Sequence, residues 1–122
     1  MNEKDKLECA YLLCNAFEGG SNYWYTINRF VVPKAEPWKF PGDKEVFRHI
    51  GYPLTTGGAV IVADKEDEGK EYRLDLKAIQ RGWKLLKETQ PRHYADVLKE
   101  NADATTGDVF LQCCLFGEVV YG

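Results

Sequence analysis

The chain has 122 residues and a mass of 13.9 kDa, which is the size of one domain and excludes a two-domain enzyme. Hydrophobic residues make up 44% and charged residues 29%, so the composition excludes intrinsic disorder and fibrous repeats. The net charge of −3 and the pI near 5.4 disfavour extended nucleic-acid binding, which needs many cations to neutralise phosphates. We therefore predict a single domain over residues 1–122.

The sequence also predicts the cellular compartment of the protein. No apolar run approaches the roughly 20 residues that span a bilayer, and the charged start at residues 1–6 lacks the apolar core of a signal peptide. A cytoplasmic protein without membrane contact is expected. The cysteines stand in apolar stretches without the paired spacing of a zinc site, which predicts free thiols and no metal. They are Cys9, Cys14, Cys113 and Cys114.

The first half of the chain predicts one helix and one strand. Residues 4–17 have helical apolar spacing, and the helix should close at the glycines that follow, Gly19 and Gly20. Residues 23–32 are rich in aromatic and β-branched side chains and predict a long strand. The segment that follows is interrupted by proline and glycine and is predicted to be irregular, with one short helical turn around residues 44–49.

The second half predicts a hairpin followed by helices. Residues 59–63 and 71–75 read as strands joined by a charged loop, and Asp75 is a plausible N-cap for a helix over residues 76–89 with its basic side exposed. A short helix begins at Pro91, and a buried helix that is apolar nearly all round follows Gly107. These elements predict an α+β fold, a three-stranded antiparallel sheet with an N-terminal helix and two or three C-terminal helices packed on it. The open strand edges favour a homo-oligomer.

The most distinctive local feature runs from Glu18 through Gly19 and Gly20 to Tyr23 and Trp24. In one interpretation the glycines cap the helix and Trp24 enters the core. In the other, exposed glycine N–H groups and aromatic rings form a pocket for a planar polar molecule, for example a nucleotide. Because the helix C-terminus and Glu18 are both negative, Glu18 suits a ribose hydroxyl or an amine better than a phosphate.

A second polar group, formed by Asp108, Gln112 and Glu118, interrupts the apolar C-terminal segment. In the structural interpretation Asp108 lies in the first helical turn and Gln112 bonds a backbone group in the core. In the functional interpretation Asp108 and Gln112, four residues apart on one helix face, point at the glycine turn. The two ends of the chain would then meet around one wet pocket. The predicted ligand-binding residues are Glu18, Gly19, Gly20, Tyr23, Trp24, Asp108 and Gln112.

No catalytic motif accompanies these residues. His49 and His93 lack a neighbouring nucleophile and are expected at the surface, and the sequence holds no phosphate-binding glycine loop and no zinc-hydrolase motif. We therefore predict no catalytic residues and no cofactor, and a small hydrolase is the weakest of the functional alternatives.

The motif EGG-x-x-YW near the start and LFGE-x-V-Y-G at the end resemble a group of small uncharacterised proteins encoded by phages and prophages. The resemblance covers most of the chain, including Gly57, Gly58 and the helix over residues 76–86. It implies a phage-type accessory protein, in a setting where such proteins bind host defence components or sequester their signalling nucleotides. The leading hypothesis is a small polar ligand such as a signalling nucleotide. The rival is a module that inhibits a host protein and presents Trp38 and Phe40 outward.

Overall fold

A computed structural model describes residues 1–42 and 48–122. Within these ranges five helices accompany three strands in the chain order expected of the α+β class. The helices are α1 (Glu3–Asn15), α2 (Arg48–Gly51), α3 (Leu76–Thr89), α4 (Pro91–Leu98) and α5 (Ala104–Phe116), and the strands are β1 (Tyr25–Val31), β2 (Ala59–Asp64) and β3 (Lys70–Leu74).

The sheet is antiparallel with β2 in the centre, and its helices lie on one face. Val60 and Val62 of β2 belong to the main core together with Leu74 of β3. The opposite face carries Arg29 and Arg73, which flank Ile61 from the two outer strands. Ile61 is nevertheless buried, as expected where long arginine stems cover a central apolar residue. The predicted fold class is therefore confirmed.

Helix α5 is the centre of the helical layer and packs against α1 and α3. Its residues from Thr106 to Leu115 are all buried, as the uniformly apolar sequence predicts. The helices approach closely at two glycines: a Cβ at Gly107 would lie 2.7 Å from the Leu12 carbonyl oxygen of α1, and a Cβ at Gly82 would lie 2.9 Å from the Cys114 Cα. The small residues permit a crossing that larger side chains would prevent.

Helix α5 begins earlier than predicted. It starts at Ala104, where the side chain of Asp103 accepts a hydrogen bond from the Thr106 N–H and caps the helix. Asp108 is thus in the second turn, and the expectation that it occupies the first turn was wrong. Residues 105–107 looked unsuited to a helix, but the packing against α1 requires the small Gly107.

Other boundaries differ by smaller amounts. Strand β1 starts at Tyr25 instead of residue 23, because the chain first makes a turn, and α1 continues into a wider π-type segment (Ala16–Gly20). Of the helical turn expected around residues 44–49, residues 44–47 lie outside the described residues, while Arg48 and His49 belong to α2. His49 is exposed as predicted, but His93 is half-buried and hydrogen-bonds Thr106 at 3.0 Å.

The cysteine thiols are free and buried, as predicted. Burial raises the pKa of Cys14 to about 12 and the pKa of Cys113 to about 11, so both are neutral thiols at physiological pH. In the described ranges, none of the helices combines the length and the apolar character needed to cross a membrane.

Candidate functional site

The glycine motif folds into a turn that lies over α5. The π-type segment carries the chain past α5 so closely that a Cβ at Gly20 would lie 2.1 Å from the Ala104 carbonyl oxygen. Only a residue without a side chain fits this approach. The turn then delivers Ser21, Tyr23 and Trp24 to the middle of α5, although they are more than eighty residues away in sequence.

Asp108 receives hydrogen bonds from all three of these side chains. Its Oδ1 accepts from the Ser21 hydroxyl at 2.7 Å and from the Trp24 indole N–H at 2.8 Å. Its Oδ2 accepts from the Tyr23 hydroxyl at 2.6 Å. Gln112, one turn later, adds its side-chain N–H to Oδ1 at 3.1 Å. The two ends of the chain therefore meet, as the functional interpretation required.

The space between these residues is filled by the protein itself. Trp24 and Gln112 are fully buried and Asp108 is 6% exposed, while the Tyr121 ring stacks on Trp24 with centroids 5.7 Å apart. The Asp108 side chain accepts hydrogen bonds from four uncharged donors, which satisfy its buried oxygens. The wet pocket expected at this point is therefore not found among the described residues. A ligand role for Tyr23, Trp24, Asp108 and Gln112 stays a prediction.

Tyr23 closes the cluster toward solvent. Its side chain is 48% exposed, and its hydroxyl is held by Asp108. Partial burial, followed by the bond to Asp108, raises the pKa of Tyr23 to about 12. The tyrosine therefore remains a neutral donor over the physiological pH range and shields the carboxylate from water.

Gln112 links the cluster to the C-terminal tail, which we define as residues 118–122. Its Oε1 accepts from the backbone N–H groups of Val120 and Tyr121, both at 2.8 Å, and its Nε2 donates to the Tyr121 carbonyl at 3.1 Å. The Tyr121 hydroxyl donates to buried Asp64 at 2.7 Å. The sequence analysis did not predict that Ser21, Asp64 and Tyr121 take part in these contacts. Only the pairing of the two end motifs pointed to Tyr121.

Glu18 does not join this cluster. It is exposed and lines a separate cavity of about 190 Å³ between the end of α1, the π-type segment, β1 and α2. We call this the Glu18 cavity. Its described lining residues are Cys14, Phe17, Glu18, Ile27, Phe30, His49, Ile50 and Val60. The predicted site is thus divided: Glu18 borders a cavity, while the residues around Asp108 bond one another.

The Glu18 cavity is mainly apolar. Glu18 and His49 are its polar lining residues, and both are exposed, which places them at the opening. The His49 ring stacks on Phe30 with centroids 4.4 Å apart and planes 17° from parallel. Gly19, next to Glu18, is also exposed. An apolar interior with a carboxylate and an imidazole at its opening suits a compact ring that carries a hydrogen-bond donor.

The outward aromatics expected by the rival hypothesis are packed in the structure. Phe40 is 5% exposed and contacts the Tyr11 and Trp38 rings. Trp38 is half-buried, and its indole N–H donates to Glu3 at 2.9 Å. These contacts give the loop a role in the fold, and the interaction module stays a prediction without support at this position.

Within residues 1–42 and 48–122, no three His, Cys, Asp or Glu side chains are grouped to hold a metal ion. The exposed basic residues predicted on α3 do point outward, among them Lys77 and Lys84. Comparison of the chain with protein-family models, with curated proteins and with solved structures gave no significant match.

Proposed function

We propose that this chain is a non-enzymatic, phage-type accessory protein that binds a small molecule in the Glu18 cavity. The observation that carries the proposal is an apolar cavity of about 190 Å³ with a carboxylate at its opening. The cavity adjoins the glycine motif on which the resemblance to phage proteins rests. In that setting, binding alone is sufficient for function, because a protein that sequesters a host signalling molecule needs no catalysis.

The volume limits what enters. A cavity of roughly 150 Å³ lined by apolar side chains accommodates a benzene-sized molecule, so 190 Å³ admits one compact ring system. A whole nucleotide is larger than this. If the ligand is a nucleotide, its base enters between Ile27, Phe30 and Val60 while its sugar and phosphate remain outside.

Charge limits the ligand further. Among the described lining residues the ionisable groups are the Glu18 carboxyl, the His49 imidazole and the neutral Cys14 thiol, and none is Lys or Arg. A phosphate near Glu18 would be repelled, whereas an amine or ring N–H can donate to its carboxylate. The ligand that fits best is a planar ring with a neutral or positively charged donor at its edge.

The test uses probes that share one ring and differ in charge. Tryptamine, indole and indole-3-acetate carry a cation, no charge and an anion on the same ring, and adenosine and AMP add a base with and without phosphate. Thermal melting should show stabilisation in the order tryptamine, indole, indole-3-acetate. A ligand present at a hundred times its dissociation constant adds about 2.7 kcal/mol to the free energy of unfolding.

Two variants tie the response to the cavity. Glu18→Gln should remove the preference for tryptamine over indole. Ile27→Phe should weaken the binding of every probe, because the larger ring fills part of the Glu18 cavity. Glu88→Gln, on an exposed position of α3, is the matched control and should leave the preference intact. An unchanged charge preference in Glu18→Gln, or no stabilisation by any probe, would contradict the proposal and favour the host-protein inhibitor.

A further inference from the structure

The C-terminal tail is held as a bound peptide would be. It forms neither helix nor strand. The side chain of Gln112 hydrogen-bonds its backbone at the N–H groups of Val120 and Tyr121 and at the carbonyl of Tyr121. Such bonds hold the backbone whatever side chains it carries, and the two adjacent N–H groups converge on one oxygen. Main-chain hydrogen bonds also supply affinity when a receptor binds a peptide segment.

One side chain of the tail is an anchor. The Tyr121 ring stacks on Trp24 and meets the edge of Phe116 with centroids 5.9 Å apart, and its hydroxyl reaches Asp64, which is 2% exposed. We define Trp24, Asp64, Gln112 and Phe116 as the tail groove. A phenylalanine would lose the bond to Asp64, so the groove discriminates for tyrosine.

The other tail residues contribute little to the attachment. Val119 is 38% exposed and Val120 is 53% exposed, and Glu118 is also exposed. Tyr121 is half-buried and is the least exposed residue of the tail. One aromatic anchor among more exposed neighbours is the usual energetic pattern of an interface. The tail starts after Gly117, whose φ of 77° ends α5 in the left-handed conformation and turns the chain away from the helix axis.

The groove is not sealed by its occupant. An open cavity of about 470 Å³ runs beside Tyr121 along the hairpin between β2 and β3, bordered by Asp67, Lys70 and Tyr72. A second segment can therefore approach the anchor position from solvent. Because all tail contacts are noncovalent, an identical tail on another molecule meets identical partners.

We propose that the tail groove is a recognition site for a tyrosine-bearing segment, filled in cis by residues 118–122 and exchangeable with the same segment of a second copy of this chain. The cis tail has an effective concentration of roughly millimolar, so exchange is seen at high protein concentration or when the cis anchor is weakened. This proposal is independent of the Glu18 cavity and gives the predicted homo-oligomer a physical basis.

The first test is complementation in trans. The full-length variant Tyr121→Ala retains the groove and lacks the anchor, and it is melted with a synthetic peptide of the sequence of residues 117–122. The peptide should raise the melting temperature in a saturable manner. A peptide with Phe in place of Tyr should bind at least about tenfold more weakly, because it lacks a hydrogen bond to a carboxylate. A peptide with Ala there should have no effect.

The second test measures the oligomeric state. Native mass spectrometry of the wild-type protein at rising concentration should show a dimer, and Tyr121→Ala should remain monomeric under the same conditions. If Tyr121→Ala is unfolded alone, the tyrosine peptide should restore its circular dichroism. No response to the tyrosine peptide, equal effects of the Tyr and Ala peptides, or a dimer fraction unaffected by Tyr121→Ala would overturn the proposal.

Discussion

Asp108 shows how one residue can be visible in the sequence and still be misplaced. An acidic residue in an apolar helix was expected either at the helix start or in a pocket. The structure instead surrounds it with donors from a distant turn, chiefly Ser21 and Trp24. The sequence analysis identified four residues of this cluster. It could not predict whether their polar atoms bond a ligand or one another, because that depends on distances between segments far apart in the chain.

The first prediction concerns this carboxylate. Asp108→Ala leaves the donors of Ser21, Trp24 and Gln112 without a partner in a buried site, at about 1–3 kcal/mol for each unsatisfied group, so a loss of at least about 3 kcal/mol in the free energy of unfolding is expected. Asp108→Asn preserves shape and one acceptor oxygen and should cost less. Urea unfolding measures both.

The control for Asp108→Ala is Glu88→Ala, which removes an exposed carboxylate from α3 and should change stability by no more than about 0.5 kcal/mol. Similar losses for Asp108→Ala and Glu88→Ala would show that the cluster around Asp108 contributes little to folding. A loss confined to Asp108→Ala supports the buried network.

Among the elements, α3 followed the sequence closely and α5 did not. The apolar stripe and the Asp75 cap of α3 are local signals, and its observed bounds equal the predicted ones. The start of α5 and the π-type segment depend on tertiary contact, because Gly107 and Gly20 are required by the neighbouring backbone and resemble turn residues in isolation. Local patterns therefore predicted the helices and strands but could not predict where the helices cross.

The second prediction tests such a crossing. Gly82→Ala would place a Cβ 2.9 Å from the backbone N and Cα of Cys114. Overpacking costs about 1–3 kcal/mol, which exceeds the roughly 1 kcal/mol that alanine gains in helix propensity over glycine. The melting temperature should therefore fall, as differential scanning calorimetry can measure.

Gln80→Ala provides the comparison, because it changes an exposed position of the same helix without affecting the crossing. It should leave the melting temperature nearly unchanged. If the melting temperature of Gly82→Ala equals or exceeds that of the wild type, α3 and α5 can move apart without loss of stability. That result would contradict the close packing of the two helices.

At the scale of the whole molecule, Tyr23 and Tyr121 are among the groups that make stability fall at alkaline pH, together with the buried thiols. The bond to Asp64, followed by burial, raises the pKa of Tyr121 to about 12, the same value as for Tyr23. The ordinary tyrosine pKa is about 10. Because the folded state favours the neutral hydroxyl, the associated stability is present below about pH 10 and is lost as the pH rises toward about 12.

The third prediction is a steeper alkaline loss of stability in the wild type than in the double variant Tyr23→Phe with Tyr121→Phe. Chemical unfolding at several pH values between about 8 and about 12 measures the slope. Tyr11→Phe removes the hydroxyl of an exposed tyrosine, controls for the loss of a tyrosine hydroxyl as such, and should follow the wild type. Equal slopes in all three proteins would contradict the linkage to these two hydroxyls.

The central place of α5 also bears on how the chain folds. The helix against which α1 and α3 pack is synthesised after both of them, and the Trp24–Asp108 bond closes a separation of 84 residues. Contacts so distant in sequence slow folding, because a large loop must be ordered before they form. The earlier segments must therefore wait on the ribosome with their apolar faces uncovered until α5 emerges, and it is during that interval that the nascent chain is most exposed to chaperones and to aggregation.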